Sequence, residues 1–162
     1  ILLALNATVH VTGPNGARSI PAAEFFKGMM TTALATNELL TAVEIPVQGA
    51  QESSAYAKFA HPASRYAVVG AAAALRVQGG VCARASVVVG GLTPVPTRLA
   101  AVEAALAGQP LSTETIAKAA AATSSGLGGD ILGDIYASAE YRKSVANVWV
   151  RRAIAAAAAR LK

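Results

Sequence analysis

Aromatic residues make up only 5% of this 162-residue sequence, charged residues 14%, and Cys82 is the single cysteine. One cysteine excludes an internal disulfide, and alone it holds neither an iron–sulfur cluster nor a structural zinc. Between Val81 and Ala83 it reads as a small buried side chain, compatible with a reducing cytoplasm. The histidines are His10 and His61 alone, and no Gly-x-Ser-x-Gly elbow occurs, so a nucleophilic triad finds no support and a metal site is not expected. No apolar run reaches the length that crosses a bilayer; the densest, Val68 to Leu75, closes at Arg76. The sequence opens inside an apolar run, Ile1 to Leu5, which reads as an internal starting point, and no signal peptide is recognisable there.

What the sequence does have is apolar bulk: 54% hydrophobic content, dominated by alanine, enough for a buried core and contrary to disorder. The net charge is +5, and many basic residues (Arg142, Lys143, Arg151, Arg152, Arg160 and Lys162) fall on a C-terminal helical stretch, where positive charge complements a helix macrodipole. A nucleic-acid site wants a basic face with stacking aromatics or a known motif, and neither is present.

Thr8 to Thr12 alternates as a strand, Gly13-Pro-Asn-Gly16 is a turn, and Arg18 to Ile20 returns as a second strand. Pro21 opens a short helix over Ala22 to Phe26, ending at Gly28, and Leu39 to Ile45 is a strand stopped by Pro46. The polar stretch 48–54 marks a boundary. Three strands follow, over 55–60, 67–77 and 81–89, the last two joined by a Gln78-Gly79-Gly80 hairpin turn. Helices are then expected from a Thr97 cap to Leu106, from a Ser112 cap to about Thr123, and from a Ser138 cap onward. On the last, Tyr141, Val145, Val148, Ala155 and Ala159 repeat as one apolar face, interrupted by Arg152. Strands first and helices afterwards predict an α+β fold: an antiparallel three-stranded sheet covered by about three helices, preceded by the tail of another α+β domain.

Few motifs carry chemistry. Gly126-Leu-Gly128-Gly129 follows a helix at the wrong spacing for a dinucleotide loop, and Gly90-Gly91 runs into Thr-Pro-Val-Pro rather than a helix. Asp130 and Asp134 bracket Gly133 in a loop and make no acid/base pair. His61, before a proline in a loop between strands, is a candidate lining residue. Lys58 and Tyr66, eight positions apart around that loop, read on physical grounds alone as a lysine facing water and a tyrosine with a packed ring and a wet hydroxyl.

Glu38-Leu-Leu-Thr-Ala-Val-Glu-Ile-Pro46, Lys58-Phe-Ala through Arg65-Tyr66-Ala-Val-Val-Gly70, Gly90-Gly-Leu-Thr-Pro-Val-Pro-Thr-Arg98, Ala137 to Arg142 and Val150-Arg-Arg-Ala-Ile154 occur in an order that resembles the flavoprotein (medium) subunit of molybdenum hydroxylases, the carbon monoxide dehydrogenase and xanthine dehydrogenase family. The resemblance implies a division into residues 1–46, the C-terminal part of an FAD-binding domain, a 47–53 linker, and a 54–162 C-terminal domain. It implies FAD as cofactor, with molybdopterin and iron–sulfur clusters confined to partners: a molybdenum-cofactor large subunit and an iron–sulfur small subunit. Electrons would pass from those clusters through the flavin to an acceptor. Carried over by position, Leu39 and Leu40 lie near the flavin ring, Lys58 at its polar edge and Tyr66 close to its face; no catalytic residue and no metal ligand is implied.

The Gly-rich loops that hold the FAD pyrophosphate in that family have no counterpart in this sequence. Weak FAD binding and no activity are therefore expected of the chain alone. The competing expectation is a non-catalytic α+β subunit-interaction module.

Overall fold

The computed structural model describes residues 1–161; Lys162 lies outside the described residues. In chain order the elements are β1 (Thr8–Gly13), β2 (Gly16–Pro21), α1 (Ala22–Phe25), β3 (Phe26–Gly28), β4 (Thr31–Thr32), β5 (Leu39–Glu44), β6 (Glu52–Ala60), β7 (Ala67–Gln78), β8 (Val81–Gly90), β9 (Thr97–Arg98), α2 (Ala100–Leu106), α3 (Thr113–Ala121), α4 (Thr123–Gly126) and α5 (Ala139–Ala158). They form an antiparallel β2-β1-β5 sheet, a small β3-β4 ribbon and an antiparallel β6-β7-β8-β9 sheet, as the α+β expectation requires.

The first hairpin closes where Gly13 pairs with Gly16, and Gly16 takes a φ of 103° that an L side chain resists. Val9, Val11, Ile20 and Phe25 make a small core beneath this sheet, while every residue of β5 is exposed. The short helix ends at Phe25 instead of Gly28, because Phe26–Gly28 leaves it to pair with Thr31–Thr32.

In the second sheet the period-2 alternation of the strands sorts side chains between two faces. Val69, Ala71, Ala73, Leu75, Val87 and Val89 face the helices, where Leu99, Val102, Leu106, Ile116, Val150 and Ile154 complete the main core. On the opposite face Ala72 and Val88 pack with Leu3 and Ala4 of the N-terminal segment. Small side chains along β7 let both layers approach closely.

Four details correct the sequence expectations. The sheet has a short fourth strand: Thr97 belongs to β9 rather than capping a helix, and α2 starts at Ala100 without a side-chain cap. The chain is held along β8 because Leu99 N–H donates to the Val87 carbonyl (2.8 Å) and the Val87 N–H to Glu103 (2.8 Å), which Arg98 also grips. The helix from Ser112 stops at Ala121 and a separate turn, α4, follows; the Thr123 hydroxyl donates to the Ala120 carbonyl at the break. The buried face of α5 is Arg142, Ala146, Val150, Ala153, Ile154 and Ala157, so Ala155 and Ala159, expected on the apolar face, are exposed. That helix also has no basic residue in its last turn, so its arginines do not serve its dipole there. Ser112 and Ser138 do cap α3 and α5, accepting from Thr115 and Tyr141 N–H.

Candidate functional site

The turn from β6 to β7 carries Lys58, His61 and Tyr66. Lys58 lies opposite Gly70 in the β6–β7 register, on the same face as Tyr56, which lies opposite Ala72. The Tyr56 ring crosses Gly70 so closely that a Cβ there would fall 2.5 Å from its hydroxyl, so Gly70 is the residue that lets the ring lie down. Burial pushes the Tyr56 phenol above its usual range.

The turn is tightly cross-braced. His61 N–H donates to the Tyr66 carbonyl (2.8 Å), and Arg65 N–H to the His61 carbonyl (2.9 Å). The His61 Nδ1 accepts from the N–H groups of Ala63 (3.2 Å) and Ser64 (3.3 Å), which places that ring's proton on Nε2 and gives His61 a turn-forming role. Arg65 is held at a φ of 61°, and Lys58 Nζ donates to its carbonyl at 3.2 Å. The ammonium is thus fixed by one of its three donors, leaving two for a ligand. The Tyr66 ring is 81% exposed. Behind the turn, a hollow of about 180 Å³ is lined by Tyr56, Ala67, Gly70, Val88, Gly91 and Pro96.

Leu39 and Leu40 stand on the other sheet, at the start of edge strand β5, 74% and 45% exposed. The strand's start is anchored by Glu38, which accepts twice from the Arg18 guanidinium (2.7 Å each) and once from Ala35 N–H. Arg18, then Ala35, hold the Glu38 carboxyl down at about 2.

Two arrangements escaped sequence reasoning. Arg142, 6% exposed, donates to the carbonyls of Ala137, Val68 and Gly91 and to the Asp134 carboxylate, tying the start of α5 to β7 and to the Gly90-Gly91 loop. Asp134 in turn accepts from Ala137 and Tyr136 N–H, and these with Arg142 depress its carboxyl. Gly91 sits at a φ of 84° with space for no side chain, since a Cβ would meet the Ala67 carbonyl. The second is a polar string across the first sheet: Ser19 Oγ lies 2.9 Å from His10 Nδ1, and His10 Nε2 3.1 Å from Glu44. These are cross-strand neighbours on an open sheet face with Glu44 largely exposed, so the string is a surface ladder rather than a nucleophile with its base.

Lys58 and Tyr66 thus share one braced turn, with the Tyr66 ring exposed, while Leu39 and Leu40 stand exposed on the other sheet. Phosphate is not served among the described residues. The Gly91 carbonyl is taken by Arg142, and the capping serines occupy N–H groups at the starts of α3 and α5.

These features define an α+β fold built on two antiparallel sheets with helices packed on the second. The profile of the CO dehydrogenase flavoprotein C-terminal domain matches residues 54–157, and that of the FAD binding domain in molybdopterin dehydrogenase matches residues 1–48. The chain belongs to the CO dehydrogenase flavoprotein family. It is similar to the carbon monoxide dehydrogenase medium chain of Afipia carboxidovorans, with 38% identity over 100% of this chain and 56% of that protein. The nicotine 6-hydroxylase medium subunit of Paenarthrobacter nicotinovorans is 33% identical over 99% of this chain and 55% of its own length. A solved carbon monoxide dehydrogenase of Hydrogenophaga pseudoflava, lacking the Mo-pyranopterin moiety of the molybdenum cofactor, superposes with a TM-score of 0.90 at 31% identity, over 99% of this chain and 55% of the other. The chain spans about half the length of the curated relatives it matches. No helix among the described residues is long and apolar enough to cross a membrane.

Proposed function

We propose that this chain forms one wall of the FAD site in the medium subunit of a molybdenum hydroxylase, an oxidoreductase that works with a molybdenum-cofactor large subunit and an iron–sulfur small subunit in the cytoplasm. The observation that carries the reading is the exposed Tyr66 ring on the same braced turn as the Lys58 ammonium, in a chain of this family. Residues 1–46 contribute Leu39 and Leu40, residues 47–53 link, and residues 54–162 contribute Lys58 and Tyr66.

When bound, the flavin supplies the redox chemistry, accepting electrons from the iron–sulfur partner and handing them to an acceptor. Lys58 presents a positive charge whose position is set before binding, and that preorganisation favours extra negative charge on the ring. Tyr66 covers a ring face and keeps water from it. Leu39 and Leu40 bring apolar area that gains about 25 cal/mol per Å² on being covered. Among the described residues nothing cradles a pyrophosphate, so the chain by itself binds FAD weakly and turns nothing over.

The test uses the full-length protein in its assembled complex. Lys58→Met is expected to make the flavin harder to reduce, shifting its potential negative, and Tyr66→Ala to weaken flavin retention about tenfold. Unchanged flavin content, potential and turnover in both variants would overturn the assignment. Purification of residues 1–162 with one flavin per chain would overturn the claim of weak binding.

A further inference from the structure

Among the described residues one buried side-chain polar atom has no hydrogen-bond partner in the protein, Ser86 Oγ, on a residue only 4% exposed. A buried hydroxyl left unpaired costs more than an ordinary hydrogen bond returns, so native folds rarely leave one. By the period of two along β8, Ser86 shares with Val88 the sheet face on which Leu3 and Ala4 pack. In the register Ser86 lies opposite Ala74, and Ala74 opposite Ser54, so only small side chains occupy that row across three strands. The row fills its space poorly: a hollow of about 40 Å³ is lined by Ala74 and Ser86.

The rest of the lining is largely polar, with Asn6, Gln48, Glu52 and Arg84. One Glu52 oxygen lies 3.6 Å from Arg84, and the other accepts from the Gly49 N–H at 3.1 Å. Gln48 Oε1 accepts from Ser54 Oγ (3.2 Å), which leaves its amide N–H groups as donors. A water needs about 10–15 Å³ of such space and two to four polar partners, and the hollow supplies both. The Glu52 carboxylate disfavours an anion and the Arg84 guanidinium a cation, so a small neutral donor–acceptor suits the site. Its place in the fold gives it a task. The first sheet is carried on the second by residues 1–7, whose Leu3 and Ala4 pack on Ala72 and Val88, and by the 45–51 connection. Both segments line the hollow, the first through Leu5 and Asn6 and the second through Pro46 to Gln48.

We propose that this hollow is an internal hydration site, in which an ordered water bonds the Ser86 hydroxyl of β8 to the Gln48–Glu52 connection and so locks the first sheet onto the second. A water that bridges two protein groups holds them nearly as well as a direct hydrogen bond. The site includes neither Lys58 nor Tyr66 and is independent of the flavin wall.

In a crystal structure of the full-length protein in its assembled complex, a water is expected within hydrogen-bond distance of both Ser86 Oγ and a polar atom of Gln48 or Glu52. A dry hollow, a protein side chain filling it, or Ser86 bonded to protein alone overturns the proposal. Ser86→Ala should lose that water, while Ser86→Thr, which keeps the hydroxyl, should retain it. In the same complexes, the amides of residues 46–52 should exchange about fivefold faster in Ser86→Ala than in the native protein, the worth of one ordinary hydrogen bond, with Ser86→Thr close to native. Equal exchange in Ser86→Ala and the native protein, or the slower exchange that relief of an orphaned hydroxyl would give, overturns the locking role.

Discussion

The two sheets of this chain treat their apolar side chains in opposite ways. The β6-β7-β8-β9 sheet is packed on one face against α2 and α5, with α3 behind them, and on part of the other against Leu3 and Ala4, and its valines Val69, Val87 and Val89 are fully buried. The β2-β1-β5 sheet has one small core, and its edge strand leaves Leu39, Leu40 and Val43 exposed. An antiparallel sheet tolerates one wet face, but an uncovered apolar edge strand invites pairing or association. The first sheet is accordingly a surface to be covered, and the second a core that supports itself.

Each region also has an arginine–carboxylate pair that ties distant segments together, Arg142–Asp134 in the second and Arg18–Glu38 in the first, and the two differ in the same sense. Arg142 is buried and spans α5, β7 and the Gly91 loop; Arg18 is exposed and joins β2 to the approach of β5. Arg142→Ala strands the Val68, Gly91 and Ala137 carbonyls and frees Asp134. It should cost about 3–5 kcal/mol of stability by urea unfolding, and a cost under about 1 kcal/mol would mean that the second sheet does not depend on its buried arginine. Next in size, Ile154→Ala empties a fully buried site and should cost about 2–5 kcal/mol. Leu40→Ala, on the uncovered strand, should stay within about 0.5 kcal/mol for the chain alone. Equal costs for the two would erase the contrast between the regions.

How much of this was legible beforehand follows from how local each signal is. The hairpin at Gly13–Gly16, the strands β6 to β8 and the Ser112 and Ser138 caps are set by neighbouring residues, and period and turn chemistry reveal them. Strand β9 is two residues held by the Val87 backbone and Glu103, contacts that no local pattern announces. On α5 the large residues Tyr141, Val145 and Val148 advertised a core face, but the fully buried positions include Ala146, Ala153 and Ala157, because alanines let the helix come close, while Val145 packs partly buried at the core's margin and Tyr141 is exposed. Around the candidate site, Lys58 and Tyr66 stand on one turn and their proximity follows from sequence spacing. The Tyr56–Gly70 contact and the Arg142 hub join segments far apart in the chain, and they became visible only with the fold.

The smallest expected effect concerns acid. Glu38 has a folded value of about 2, depressed from a usual value of 4.5 by Arg18 and the Ala35 N–H. A carboxylate held down in the folded state stabilises above its unfolded value and loses that contribution as pH falls through the folded one. The contribution of Glu38 is therefore intact at neutral pH, begins to fade near pH 4.5 and is gone below about 2. Solvent screens this exposed pair, so the change in global stability is small, and hydrogen exchange is the suitable readout. Amides of β1 and β5 should lose protection across that window in the native chain. In Glu38→Gln the same amides should be less protected at pH 7 and show little further loss between pH 4.5 and 2. The Asp134 carboxyl is also depressed, but it acts on the loop before α5, so Asp134→Asn should change protection around Tyr136 and Ala137 and leave β5 unaffected. Identical acid profiles for β5 with and without Glu38 would show that the exposed strand is held by its β1 ladder alone.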